Sequence, residues 1–129
     1  RELQGVRMVS ELSDKRTALG GVRVLDLSRF IAGPLCCQSL GDMGAEVIKV
    51  ERPGGEDARR HQPFYNDHSI YTMVFDRNKL GVTLDTRHPK APPILAALIS
   101  VSDVVIENYR PGTLGEMGLS FDRMQEIWW

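Results

Sequence analysis

From Val22 onward the apolar positions fall into alternating strand-like and helix-like stretches. Val22-Arg23-Val24-Leu25-Asp26-Leu27 follows a glycine pair and is rich in β-branched and apolar residues, which predicts a strand. Gly33-Pro34 comes after a short loop. A proline in the first turn of a helix gives up an N–H that had no partner, so a helix is predicted from Pro34 to about Met43, ending at Gly44. A second strand covers Glu46 to Val50, and Glu51-Arg52-Pro53-Gly54-Gly55 is a dense turn signal opening a long polar loop to about Asp67. Ser69 to Phe75 is aromatic and apolar, and Gly81-Val82-Thr83-Leu84-Asp85 predicts a third, short strand.

Ile94, Leu95, Leu98 and Ile99 share one helical stripe. Because Pro92 and Pro93 limit regular hydrogen bonding near its start, this helix is placed from Pro93 to about Val101. Val104 to Glu107 predicts a buried strand, and Ser120 caps a last helix in which Phe121, Met124, Ile127 and Trp128 share a face. Residues 1 to 20 form an extension whose one candidate element is an amphipathic helix from Glu2 to Leu12. Strands alternating with helices predict an α/β fold with a parallel sheet and right-handed crossovers.

Composition narrows the class. The chain has 129 residues, 16 Lys and Arg against 17 Asp and Glu, 42% apolar and 26% charged residues. That balance is globular and carries no basic footprint for nucleic acid. Its longest apolar run, Ile94 to Ile99, is far short of the roughly 20 residues of a membrane span, and the N-terminus has no apolar signal core. Cys36 and Cys37 supply neither a disulfide framework nor a four-ligand zinc site, so a cytoplasmic protein without a metal is expected. His61, His68 and His88 have no ligand spacing and are expected at the surface.

In an open parallel sheet, ligands bind beyond the C-terminal ends of the strands. Each predicted strand end carries a carboxylate followed by an arginine: Asp26 then Arg29, Glu51 then Arg52, Asp85 then Arg87, Glu107 then Arg110. Two readings stand. The pairs are either solvated surface salt bridges, individually weak, or a rim of guanidinium groups suited to a polyanion, with helix N-termini near Pro34 and Pro111-Gly112 adding N–H donors. A dinucleotide fold is disfavoured, since Ser28-Arg29-Phe30-Ile31-Ala32-Gly33-Pro34 lacks the G-x-G-x-x-G turn.

Gly21-Val22-Arg23-Val24-Leu25-Asp26-Leu27, Ala32-Gly33-Pro34, the run from Leu40 to Gly54, Arg77-Asn78-Lys79, and Glu107-Asn108-Tyr109-Arg110-Pro111-Gly112 together resemble the family III CoA-transferases, the formyl-CoA and carnitine CoA-transferase relatives. The match runs in order from about Leu19 to Ile127. The resemblance implies a Rossmann-like parallel sheet flanked by helices, incomplete here, with residues 21 to 129 as the N-terminal part of a CoA-binding domain. It also implies a second, smaller domain and an interlocked homodimer.

By position, the resemblance places coenzyme A against Ile31 and Ala32 after the first strand, Arg52 after the second, Leu84 through Arg87 after the third, and Asn108, Tyr109 and Arg110 after the fourth. Gly33 and Gly44 are expected to serve a turn and a helix end. Glu116 stands before Met117-Gly118 where relatives often carry a basic residue, so one phosphate contact is expected to be missing.

The implied chemistry moves CoA from an acyl-CoA to a carboxylic acid through an aspartyl-acyl anhydride, with coenzyme A as co-substrate. The nucleophilic aspartate is expected beyond this chain, Asp26, Asp42 and Asp85 being structural. Within the same superfamily the alternative is an α-methylacyl-CoA racemase-like enzyme, disfavoured by the long insertion from Glu56 to Phe75. A third reading is a CoA-binding fragment without activity.

Overall fold

The computed structural model describes residues 17 to 128. The helix expected from Glu2 to Leu12 lies outside the described residues, as does Trp129. In chain order the elements are β1 (Arg23–Asp26), α1 (Ala32–Asp42), β2 (Glu46–Glu51), a 3₁₀ turn (Asp57–Arg60), β3 (Phe64–Tyr65), β4 (His68–Ser69), α2 (Ile70–Phe75), β5 (Leu80–Thr83), α3 (Ala91–Ser100), β6 (Val104–Ile106), α4 (Thr113–Glu116) and α5 (Phe121–Trp128).

Four strands make one sheet in the order β5-β2-β1-β6, with every neighbouring pair parallel. The chain builds outward from β1 to β2 to β5 and then returns to place β6 on the other side of β1. This reversal puts a topological switch point between β1 and β6, the kind of place where open parallel sheets bind ligands. The α/β class and the parallel, Rossmann-like order are as expected from the sequence.

Two-residue alternation divides the core. Val24 of β1 and Val47 of β2 face α1 and pack with Cys37 and Ala45. Leu25 of β1 and Val50 of β2 face the opposite side, where they meet Leu27, Leu95 and Ile99 of α3, and Leu119 ahead of α5. Helices on both faces are what buries a parallel sheet.

The structure shifts several boundaries. Helix α1 starts at Ala32 rather than Pro34, and α3 starts at Ala91 rather than Pro93. The reason is the same for both: prolines within the first turn sacrifice only N–H groups that lack intrahelical partners, so they do not delay the helix. The segment read as a loop to Asp67 contains the 3₁₀ turn and a short antiparallel hairpin, β3 with β4. Asn66 and Asp67 turn that hairpin with φ of 47° and 62°, a left-handed pair that Asn and Asp tolerate better than most residues. In α5, Met124 and Ile127 pack on the core as expected, but Phe121 is exposed. The Trp128 indole N–H is shared between the carbonyls of Ile99 and Ser102, at 3.1 and 3.0 Å.

Candidate functional site

The strand ends are organised by a buried charge cluster. In the parallel register Asp26 of β1 lies beside Lys49 of β2, and alternation turns both toward the α1 face. Both are sealed from solvent. Lys49 Nζ lies 3.7 Å from Asp26, 3.2 Å from Glu56 and 3.5 Å from Asp76, and donates to the Ser28 carbonyl at 3.1 Å. Lys79 Nζ donates to Asp26 at 2.9 Å, to Asp76 at 3.3 Å and to the Pro34 carbonyl at 3.0 Å. Three carboxylates thus surround two ammonium groups.

Burial alone would raise the Asp26 carboxyl, but the Lys49 charge and hydrogen bonds from Lys79 and Ser28 hold it below the usual carboxylate range. Glu56 goes the other way: its burial outweighs Lys49 and the Phe30 N–H, and its carboxyl is raised. Its Oε1, 3.2 Å from Lys49 Nζ, makes no hydrogen bond. Burial, reinforced by the Asp26 charge, pushes the Cys37 thiol up to about 12, which makes it an inert core residue rather than a nucleophile.

Outside this cluster stand the arginines. Arg29, after β1, and Arg52, after β2, both pair with Asp57 of the 3₁₀ turn, one to each carboxylate oxygen. Arg52 also donates from Nε to the Gly55 carbonyl at 3.0 Å. Glu51 is held by Arg59, whose Nε and Nη2 donate at 2.7 and 2.5 Å; that hydrogen bonding keeps the Glu51 carboxyl low. The strand-end carboxylates therefore do not pair with the arginines that follow them in sequence. Asp85 and Glu107 instead accept the backbone N–H groups of Arg87 and Tyr109, stabilising turns. Arg52 finds Asp57 five residues on, while Arg29 reaches it across 28 residues, which sequence neighbourhood gave no means of finding.

The loop from Ser28 to Ile31 connects β1 to α1. Phe30 sits there at φ 64°, and no side chain caps the N-terminus of α1. Phe30, Ile31, Ala58, His61 and Tyr71 line a cavity of about 150 Å³. The His61 ring meets Phe30 edge-on at 5.5 Å and Tyr71 at 6.2 Å. His61 is exposed, as expected of a surface histidine, yet it forms part of this wall. Ser69 Oγ donates to the His61 carbonyl at 2.7 Å and so ties the hairpin to the wall.

The structure brings the residues singled out in the sequence to one edge of the sheet, each just past the C-terminal end of a strand. Ile31 immediately precedes α1 and Ala32 begins it, both exposed. Arg52 follows β2. Leu84 follows β5 half-buried against the core, its N–H donating to the Glu51 carbonyl at 2.8 Å. Arg87 and Arg110 are exposed. Tyr109 is half-buried, and burial raises its phenol. Asn108 directs its side-chain amide to the main chain of Arg29.

Sequence reading missed Lys49, Glu56, Asp57, Asp76 and Lys79. A lysine within the otherwise apolar Val47-Ile48-Lys49-Val50 was the available signal, since a charge in a central strand needs a buried partner. Among the described residues, no group of three or more His, Cys, Asp or Glu is placed to hold a metal ion, and no helix is long and apolar enough to cross a membrane.

Residues 19–128 match the family model described as CoA-transferase family III. The chain belongs to CoA-transferase family III. It is 46% identical over 116 residues to succinyl-CoA:glutarate CoA-transferase of Mus musculus, covering 88% of this chain and 27% of that protein. Identity to formyl-CoA:oxalate CoA-transferase of Rhodopseudomonas palustris (strain TIE-1) is also 46%, over 112 residues, 85% of this chain and 26% of the relative. Among solved structures, Rv3272 from Mycobacterium tuberculosis in an orthorhombic form superposes with a TM-score of 0.80 at 40% identity, covering 86% of this chain and 32% of that one. A CAIB/BAIF family protein from Brucella suis gives 0.79 at 36% identity, covering 86% of this chain and 31% of that one. The chain thus spans about a quarter of the length of the curated relatives it matches.

Proposed function

We propose that this chain, from residue 21 onward, is the N-terminal part of the CoA-binding domain of a CoA-transferase that moves CoA between an acyl-CoA donor and a carboxylic acid acceptor. The observation that carries this reading is the convergence of Arg29 and Arg52, from adjacent strand ends, on Asp57. Two guanidinium groups sharing one small carboxylate form an anion site, and a phosphate presents more acceptor oxygens to both than Asp57 does. Such a site binds the phosphates of coenzyme A, and the uncapped start of α1 adds backbone donors. Ile31, Ala32, Leu84, Arg87, Asn108, Tyr109 and Arg110 complete the proposed edge.

The chemistry of this reading is acyl transfer. An aspartate carboxylate attacks the thioester carbonyl and the carbon–sulfur bond breaks, the thiolate leaving with the bonding pair to give a mixed anhydride; the acceptor carboxylate then displaces the donor acid from the aspartyl carbonyl, and the retained thiolate attacks the acceptor's acyl carbon, forming the new thioester and releasing the aspartate carboxylate. The anhydride survives only where water is excluded, and the aromatic cavity beside Ile31 supplies apolar walls. Asp26 is excluded as the nucleophile by its burial beneath Lys79 and Lys49. Asp42 is engaged by Gln38 and Arg77, and Asp85 by its turn. Resemblance to the family puts the nucleophile beyond this chain, and on that reading the 129 residues alone bind CoA weakly and turn nothing over. Resemblance to the family adds a homodimer to the reading, and the cysteine usage a cytoplasmic setting.

The test is a transfer assay of the complete encoded protein, with succinyl-CoA and glutarate or formyl-CoA and oxalate, run beside the 129-residue chain. CoA transfer by the complete protein and none by the 129 residues is expected. Turnover by the short chain would overturn the placement of the nucleophile. Proton exchange at the α-carbon of a branched acyl-CoA without transfer would identify the racemase-like alternative.

A further inference from the structure

We propose that Asn108 and Glu56 are positioning residues that fix the loop from Ser28 to Ile31, and with it the cavity wall and the start of α1. This rests on the function proposed above and assigns the two side chains a role through the loop.

The last backbone rung between β1 and β6 is the Leu27 N–H donating to the Ile106 carbonyl at 2.9 Å. Two residues further on each strand, the next rung would join Arg29 to Asn108. Among the described residues no backbone hydrogen bond closes that rung. The Asn108 side chain takes its place: its Oδ1 accepts the Arg29 N–H at 2.8 Å and its Nδ2 donates to the Arg29 carbonyl at 2.8 Å. One carboxamide, with an acceptor and a donor side by side, imitates a strand residue and extends the pairing by one rung. Its amide is therefore engaged with main chain at the position where a ligand contact was expected.

Glu56 holds the next residue. Its Oε2 accepts the Phe30 N–H at 3.0 Å, its own N–H donates to Glu51 Oε2 at 2.9 Å, and its buried Oε1 lies against Lys49, which itself donates to the Ser28 carbonyl. Three consecutive loop residues are thus fixed by side chains from β2, from the loop after β2 and from the loop after β6. The need for such anchoring is visible at Phe30, whose φ of 64° is a left-handed conformation that a bulky residue does not adopt without compensation. Held this way, Phe30 and Ile31 face the cavity while Arg29 points to Asp57.

The experiment uses the complete encoded protein with Asn108→Ala, Glu56→Ala and the double variant. CoA affinity is measured by calorimetry, amide hydrogen exchange over residues 28–31 is followed without ligand, and thermal unfolding is recorded for each. Asn108→Ala is expected to stay folded, to lose protection at the Arg29 amide before any ligand is added, and to bind CoA about tenfold more weakly. Glu56→Ala should do the same at the Phe30 amide. Because both act on one loop, the double variant should be little worse than either alone. Should an alanine variant fail to fold, Asn108→Asp keeps the acceptor for the Arg29 N–H, loses the donor to its carbonyl, and should show an intermediate loss. Unchanged protection, unchanged CoA affinity, or losses that multiply as independent ligand contacts would each overturn the inference. A wild type that binds CoA with variants that bind equally well removes the inference and leaves the proposed function standing; a wild type that does not bind CoA removes both.

Discussion

Lys79 Nζ donates to the Asp26 carboxylate at 2.9 Å, joining two side chains 53 positions apart that are both sealed from solvent. Lys79 just precedes β5, at one edge of the sheet, and Asp26 ends β1, two strands away. Their bond holds the edge strand against the central strands from the α1 side. Removing Lys79 leaves Asp26 with Lys49 at 3.7 Å and the Ser28 donors, so the expected loss is that of a charge-assisted hydrogen bond, about 1.5–3 kcal/mol. Lys79→Met is expected to lower stability by that amount in urea unfolding, and Asp26→Asn with Lys79→Met to recover part of it. A change in Lys79→Met of less than about 1 kcal/mol would contradict the role assigned to the cluster.

The pH dependence of stability has two opposing parts. Asp26 and Glu51 are held low, so their contribution is present above the ordinary carboxylate values and lost as pH falls through their lowered ones. Glu56 is raised, so its contribution is fully present below the ordinary glutamate value of 4.5 and lost as pH rises through its raised value. Glu56→Gln removes only the second part. Its stability relative to the wild type is expected to improve from about pH 4 to about pH 8 in denaturant titrations. A difference that is flat or reversed would show that Glu56 is not raised in the fold.

Gly33 faces a steric limit rather than a torsional one. A Cβ there would lie 2.1 Å from Ser28 Cβ and 2.3 Å from its Oγ, so the first turn of α1 sits directly on the end of β1. The expected turn role for this glycine is replaced by close approach, whereas Gly44, at φ 100° beyond α1, fits the helix-end role. Gly33→Ala is expected to cost about 1–3 kcal/mol or more in thermal unfolding. Gly115, whose Cβ would meet nothing within 4 Å, provides the contrast, and Gly115→Ala should be neutral or stabilising by about 0.5 kcal/mol.

If the convergence of arginines on Asp57 is an anion site, charge removal there should weaken CoA binding and flatten its salt dependence. Arg52→Ala is expected to lower CoA affinity about tenfold in calorimetry of the complete encoded protein. Arg123→Ala removes a guanidinium paired with Glu126 on the surface of α5 and should leave affinity unchanged. Equal effects of the two substitutions would point to net charge alone.

Much of the fold was legible because alternation in Val24-Leu25 and Val47-Ile48 and the stripe of Leu95 and Ile99 are core patterns written locally. The hairpin at Asn66-Asp67 carried its turn signal but was hidden within a polar stretch. The candidate edge was legible in outline, since the strand ends bear Arg29, Arg52, Arg87 and Arg110. Its wiring was not. The partner of Arg29 lies 28 residues away in the 3₁₀ turn, and the partner of Asp26 lies 53 away beside β5. Such pairings are set by the order of strands in the sheet, which local periodicity does not determine.

The most direct test of the central claim is a crystal structure of the complete encoded protein with coenzyme A. Phosphates against Arg29 and Arg52, with the thiol end directed toward the cavity lined by Phe30, Ile31, His61 and Tyr71, are expected. Coenzyme A seated away from the C-terminal ends of β1, β2, β5 and β6, with Asp57 still holding both arginines, would contradict it.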